Sequence, residues 1–295
     1  MRLFAATLLA VVTVTLTVRP GRAETIRLGD RFHVIDLPAN PKGAPLILAL
    51  HGGGGGPKQF ASSSSGRGPV AVRQGYTVIF PAGTGRRGED RLLTWNGGYC
   101  CGDAARRGVD DEGFLAELIR DAVARFGLGA YRVYLTGMSN GSIMVETFAA
   151  RNPDLIRAVA GVAGTMDSTR VRVQGRVPAL IIHGAVDGNV PYEGGDGPDG
   201  PSRTDLASTP SVVDAFLAPW GGVLSITDRR IDRRDDGTAV VVTDYRKGST
   251  AALRLMTVEG GDHHWPGSHK ARLRTGKTQE IDANTGILRF FALHP

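Results

Sequence analysis

Gly137-Met138-Ser139-Asn140-Gly141 sets a serine between two glycines, each two residues away. The spacing suits a nucleophile on a turn so tight that side chains at both ends would collide, and glycine removes the collision. A serine raised on such a turn at a helix start also sits where developing negative charge is favoured. Glycine and serine are common, so an ordinary solvated turn is the competing reading and the flanks must decide. Tyr131-Arg132-Val133-Tyr134-Leu135-Thr136 reads as a strand before the pattern, and Ile143 to Arg151 as a helix after it. Strand, Gly-x-Ser-x-Gly, helix is the context of a nucleophile elbow. Ser139 is the expected nucleophile.

A serine nucleophile needs a base, an acid to orient the base and N–H donors for the oxyanion. In an open α/β sheet these belong at the carboxyl ends of strands, and the chain order Ser, Asp, His is that of α/β-hydrolases. Asp187 follows the strand-like Leu180-Ile181-Ile182-His183-Gly184 within a turn. It is the expected acid, against its use as a plain Asp-Gly turn former; Glu193 and Asp196 are weaker substitutes. Gly260-Gly261-Asp262-His263-His264-Trp265-Pro266-Gly267 follows the last strand-like run. A histidine there can take the serine proton and return it to a leaving alcohol. Spacing does not choose between His263 and His264. As a metal site the pair is poor, because adjacent side chains diverge and no third ligand has a fitting spacing. No metal and no cofactor are expected.

His51-Gly52-Gly53-Gly54-Gly55-Gly56 follows the first central strand-like run. The N–H of Gly53, with that of Asn140 after the nucleophile, is the expected oxyanion pair. A phosphate-binding loop is the rival, but Lys58 has no Ser or Thr beside it. His51 and His183 read as structural.

The elements that must position these groups are legible as apolar runs. Pro45 to Leu50, Tyr76 to Phe80, Ala158 to Ala163 and Ala179 to Ile182 are continuous, as strands buried on both faces are. Phe114, Leu115, Leu118, Ile119, Ala122 and Val123 recur at helical spacing, with Asp110, Asp111 and Glu112 at the start and Gly127 as the stop. Val212 to Trp220 and Ile281 to Leu293 are further helical segments. Val240 to Tyr245 and Leu253 to Val258 are late strands, one a candidate hairpin partner. The alternation predicts an α/β fold with a mostly parallel central sheet flanked by helices on both faces. Ala61 to Gly66 reads as a loop, with Pro69 opening a helix behind it. Glu193 to Ser208 also reads as a loop, either a substrate entrance or a solvated insertion.

Of 295 residues 41 are glycine, about twice ordinary usage, and they cluster after the strand-like runs. Residues 1–23 read as a signal peptide: Arg2, an uncharged apolar stretch from Leu3 to Val18, then Gly21-Arg22-Ala23 before Glu24. The stretch is short for a membrane anchor. Its removal takes three arginines and no acid, halving the formal charge of +6. Residues 24–295 then form one catalytic domain, with no membrane contact after cleavage. No basic block is interleaved with aromatics, so a nucleic-acid partner is not expected. The two cysteines, Cys100 and Cys101, are adjacent. A vicinal disulfide, an intermolecular bond or free thiols are the choices.

Leu50-His51-Gly52, Thr94-Trp95-Asn96, Cys100-Cys101-Gly102, Val109-Asp110-Asp111, Gly-Met-Ser-Asn-Gly at 137–141, the run from Ile182 to Gly195, His-x-Trp-Pro-Gly at 263–267 and the ending Phe290 to Pro295 together resemble the secreted polyhydroxybutyrate depolymerase-like esterases, which are related to feruloyl and acetylxylan esterases. The resemblance implies an α/β-hydrolase fold, serine esterase activity, no cofactor, and an ester substrate: a small molecule, an oligomer or a polymer. It implies Ser139, Asp187 and His263 as the triad, since the family histidine stands two before the tryptophan. Ser142, Asp262 and His264 depart from the family pattern, which has small residues there. No separate substrate-binding module or Ser/Thr-rich linker is present, which weakens the case for a crystalline polymer. Trp95, Asn96 and Trp265 are the expected substrate contacts, with Tyr99 and Tyr192 as further aromatics. A peptidase or acyltransferase on the same scaffold, or a non-catalytic carbohydrate or polymer binder that kept it, are the alternatives. The binder has no need of the intact Ser, Asp and His.

Overall fold

The four apolar runs and the strand-like run before the elbow become neighbouring parallel strands, and each is buried on both faces. They are β3 (Leu46–Leu50), β4 (Thr77–Pro81), β5 (Val133–Met138), β6 (Ala158–Val162) and β7 (Ala179–Gly184). The computed structural model describes residues 23–63, 68–86, 90–200, 203–222, 224–268 and 276–295. Apart from Ala23, the expected signal peptide lies outside these residues.

Among the described residues the main sheet has ten strands. An N-terminal hairpin, β1 (Glu24–Leu28) and β2 (Arg31–Asp36), lies at one edge and pairs antiparallel with β4. The order continues β4-β3-β5-β6-β7 and then reaches β12 (Thr250–Glu259), which is parallel to β7. Beyond it β11 (Ala239–Lys247) and β10 (Ser225–Ile231) return antiparallel. The expected hairpin of two late strands is thus β11–β12. The sequence reading did not anticipate β1, β2 and β10. Their polar alternation lacks the continuous apolar signature of doubly buried strands. The exposed, charged β10 suits an outer edge. Two short strands, β8 (Gly195–Asp196) and β9 (Asp205–Leu206), pair within the 193–208 segment.

Helices cover both faces. On one side α4 (Asp111–Phe126), α5 (Asn140–Arg151) and α6 (Thr209–Leu217) bury Leu115, Phe148 and Phe216 against Leu46, Leu48 and Leu50. On the other, α1 (Pro57–Ser62), α2 (Gly68–Arg73) and α7 (Ala283–Ala292) bury Phe60, Ala71 and Phe290 against the layer that holds Ile47 and Ala49. Alternate residues of β3 thereby feed opposite cores. The ends of α4 follow the expected signals: the Asp110 carboxylate accepts from Gly113 N–H, and Gly127 takes φ +63°. α1 extends two residues into the expected 61–66 loop. A further short helix, α3 (Gly102–Arg106), follows the cysteines.

Candidate active site

Ser139 has φ +55° and ψ −124°, a conformation that non-glycine residues rarely hold, between the end of β5 and the start of α5. Its N–H donates to Val162 O at 2.9 Å, which ties the turn to β6. The neighbours leave no room for side chains. A Cβ on Gly141 would lie 2.5 Å from Leu50 O, one on Gly164 would lie 2.5 Å from Ser139 O, and one on Gly137 would overlap the Gly141 carbonyl. The two glycines of the sequence pattern are therefore required by close backbone packing. Asn140 opens α5, so its N–H has no acceptor within the helix. Gly52 and Gly53 lie against this end of the turn: a Cβ on Gly52 would be 3.5 Å from Ser139 Cβ, and one on Gly53 would be 3.6 Å from Asn140 Cβ.

Asp187 and His263 come together although 76 positions separate them. β7 and β12 are adjacent and parallel, so the loops leaving their carboxyl ends touch; Val186 N–H donates to Gly261 O at 3.0 Å. His263 Nδ1 lies 2.8 Å from Asp187 Oδ2. The other carboxylate oxygen, Oδ1, accepts from Asn189 N–H and Val190 N–H, each at 2.8 Å. Burial pushes the Asp187 carboxyl up, but the hydrogen bond and charge of His263, with His183 and Val190 N–H, outweigh it and hold it below its ordinary value. His183 lies beneath, with Nε2 2.8 Å from Val190 O and 3.5 Å from Asp187. Burial lowers its pKa and keeps the ring neutral. Among the described residues the carboxylate bonded to the His263 ring is that of Asp187, not Glu193 or Asp196.

The neighbouring histidine turns the other way. His264 is buried, its Nδ1 is 2.8 Å from Asp262 O, and its Nε2 accepts from Thr278 N–H at 3.1 Å. It is 6 % exposed and fixes the loop to the segment at 278. Asp262 bonds the backbone N–H of His263 at 2.6 Å and thereby shapes the loop. His51 is buried: Nδ1 bonds Gly52 O, Nε2 accepts from Gly83 N–H at 3.0 Å, and burial holds its pKa at about 4. It is the buttress of the glycine loop.

The expected substrate contacts need correction. Trp95 is 0 % exposed, and its indole N–H donates to His51 O at 3.0 Å. Its backbone is clamped by the Asn140 side chain, with Trp95 N–H to Oδ1 at 2.7 Å and Nδ2 to Trp95 O at 2.9 Å. Trp95 therefore supports the glycine loop and presents no face to a ligand. Trp265 is 3 % exposed and packs edge-on against Phe60, anchoring the histidine loop in the core. Asn96 spends its side chain inside its own loop, on Val109 O and Gly98 N–H, while its N–H donates to buried Asp111. An aromatic or amide beside a functional loop reads the same in sequence whether it faces inward or outward.

Tyr99 does line an opening. A cavity of about 490 Å³ lies between Tyr99, Asp167, Arg170, Arg203 and Leu206. The Tyr99 hydroxyl donates to Thr165 O at 2.5 Å, just beyond the Gly164 that touches Ser139. Arg203 and Leu206 lie in the 193–208 loop that the sequence offered as a substrate entrance, whereas Arg170 carried no sequence signal; they meet only when the β6 exit and that loop are folded together. Cys100 and Cys101 form a vicinal disulfide, packed with Ile143, Val190 and Leu206. Among the described residues no group of His, Cys, Asp or Glu is arranged to hold a metal ion.

The strand order, the elbow and the helices on both faces define an α/β-hydrolase fold. Solved structures carry the same fold: an acetyl xylan esterase from Aspergillus awamori superposes with TM-score 0.58 at 14% identity, over 92% of this chain and all of that one. Residues 35–169 match the family model described as esterase PHB depolymerase. NocK of Nocardia uniformis subsp. tsuyamanensis, itself an inferred esterase, is 29% identical over 88% of this chain and 75% of its own. An acetylxylan esterase of Coprinopsis cinerea is 32% identical over 43% of this chain, which spans only a third of that protein. Over residues 35–169 the chain is thus similar to the polyhydroxybutyrate depolymerase-like esterases, and its relatives are carboxylic ester hydrolases.

Proposed function

We propose that this chain is an exported serine esterase that cleaves carboxylic esters through an acyl-enzyme. The observation that carries the reading is the 2.8 Å contact of His263 Nδ1 with Asp187, on loops that leave the same carboxyl-terminal edge of the sheet as a serine held at positive φ. Asp187 holds the imidazole with its proton on Nδ1, so that Nε2 is free to accept. His263 takes the Ser139 hydroxyl proton as Oγ attacks the ester carbonyl, then returns it to the leaving alcohol. Water, activated by the same histidine, releases the acid. The oxyanion is met by the N–H groups of Asn140 and Gly53, aided by the positive end of α5. No step needs a metal or a cofactor.

Short acyl and hydroxyacyl esters are the proposed substrates, hydroxyalkanoate oligomers among them, with acetyl and feruloyl esters of plant polysaccharides as the second class. The matched family model supports the first class, and similarity to acetylxylan and feruloyl esterases supports the second. A fluorophosphonate probe should label the protein at Ser139 alone, and Ser139→Ala should lose both labelling and turnover with its fold intact. Labelling that persists in the variant would remove Ser139 from the mechanism. A hydrolysis screen over acetyl, 3-hydroxybutyryl and feruloyl esters ranks the substrate classes.

A further inference from the structure

Behind the nucleophile lies a carboxyl group that the proposed mechanism does not use. Glu146 is on α5, 1 % exposed. Oε1 bonds the Ser142 hydroxyl at 3.0 Å, and Ser142 is itself 0 % exposed, three residues after Ser139. Oε2 accepts the Met166 N–H at 2.9 Å, from the segment that leaves β6. Gly161 is bare so that this carboxyl fits: a Cβ there would overlap Oε1. The segment that Glu146 grips runs from Gly164, which abuts the Ser139 carbonyl, through Thr165, whose carbonyl accepts the Tyr99 hydroxyl, to Asp167 on the cavity wall.

The groups that face Glu146 are Ser142 on its own helix, Met166 on the β6 exit and Tyr99 from the 94–101 loop. Asp167 also bears on Tyr99, and among the described residues no cation pairs with Glu146. A buried carboxylate without a cation is costly, and the neutral acid is not. In that neutral form Oε1 carries the proton and Ser142 Oγ accepts it, while Oε2 keeps the Met166 N–H.

We propose that Glu146, in its protonated form, is a positioning residue that locks the nucleophile helix to the 164–167 segment and so sets both the Ser139 turn and the Tyr99 wall of the cavity. Burial supports this by raising the Glu146 pKa to about 8, with the Met166 and Ser142 hydrogen bonds opposing. The proposal rests on the esterase reading above.

The test is a pH profile of kcat and KM on one activated short-chain ester for the wild type, Glu146→Gln, Glu146→Ala and Ser142→Ala. Glutamine copies the neutral acid: its amide donates to Ser142 and its carbonyl keeps Met166. It should stay within about threefold of wild type at pH 7, since every hydrogen bond has a counterpart. The wild type should lose kcat along an alkaline limb as the buried acid ionises, and Glu146→Gln should lack that limb. Ser142→Ala should move the limb to higher pH, because a donor to the carboxylate is gone. Glu146→Ala should lose about 10- to 100-fold in kcat, the scale of a small misplacement of a reacting group, with KM changed less. Should Glu146→Ala fail to fold, the Gln and Ser142 variants decide alone. The same alkaline limb in wild type and Glu146→Gln, or a folded Glu146→Ala with wild-type kcat, overturns the proposal. Ser139→Ala run alongside separates the two levels: if it retains turnover, the esterase reading itself has failed.

Discussion

Replacing Asp187 by Asn changes one atom and should reverse the hydrogen-bond polarity of the site. Oδ1 faces two backbone donors, Asn189 N–H and Val190 N–H, each at 2.8 Å. An amide must put its oxygen there, because the flipped amide would confront both N–H groups with a third donor and leave them unpaired, at about 1–3 kcal/mol each. The NH₂ then occupies the Oδ2 place, 2.8 Å from His263 Nδ1. It donates to Nδ1 and holds the ring with its proton on Nε2, the atom that takes the serine proton in the proposed mechanism. The acid is thus replaced by a group that enforces the unproductive tautomer. The loss of kcat should approach about 10⁴-fold, roughly 5.4 kcal/mol of barrier. Stopped-time hydrolysis of an activated acetate ester at pH 7, with thermal melting to check the fold, reads the effect. Nitrogen NMR of the His263 ring would report the tautomer directly. Asp187→Asn with more than a tenth of wild-type kcat would refute the reasoning, as would an equal loss in Glu193→Ala.

Three further outcomes follow from the same geometry. His263→Ala should lose at least about 10³-fold in turnover. His264→Ala should lose less than about tenfold but melt earlier, because Thr278 N–H is left buried without its acceptor; kinetics and melting on both variants check the pair. Asp111→Ala should destabilise the fold by about 3–5 kcal/mol, because it strands the largely buried Arg31, whose guanidinium lies 2.6 Å from it, and the Asn96 N–H; chemical unfolding measures this. Acid should also destabilise the protein. His33, His51 and His294 are held neutral by burial, each with its pKa lowered from 6.5 to about 4. The unfolded chain therefore binds more protons between those values, and stability falls as pH drops from about 6.5 toward 4. A melting temperature that rises over that interval would contradict the assignment.

The elbow was legible in the sequence because its physics is local. Gly137 and Gly141 flank Ser139 since adjacent backbones touch there, and the apolar runs on either side announce strand and helix within a few residues. Four of the five doubly buried strands were equally plain, as continuous apolar runs. Ser139, Asp187 and His263 each follow a strand and could be named singly, although only the family resemblance chose between His263 and His264. The tertiary structure alone decided which of the two turns toward Asp187, and the physical reason is the loop: Asp262 bonds the His263 backbone, and Thr278 captures the His264 ring. It also turned Trp95 and Trp265 inward while leaving Tyr99 on a cavity wall. Whether an aromatic beside a loop faces core or solvent depends on what packs over it. For Trp95 that partner is Asn140, 45 positions away; for Tyr99 it is Thr165, 66 positions away. Glu146 shows the same division. In sequence it is the one acidic residue on a largely apolar helix, and only the approach of the β6 exit to α5 makes it a buried acid near Ser139.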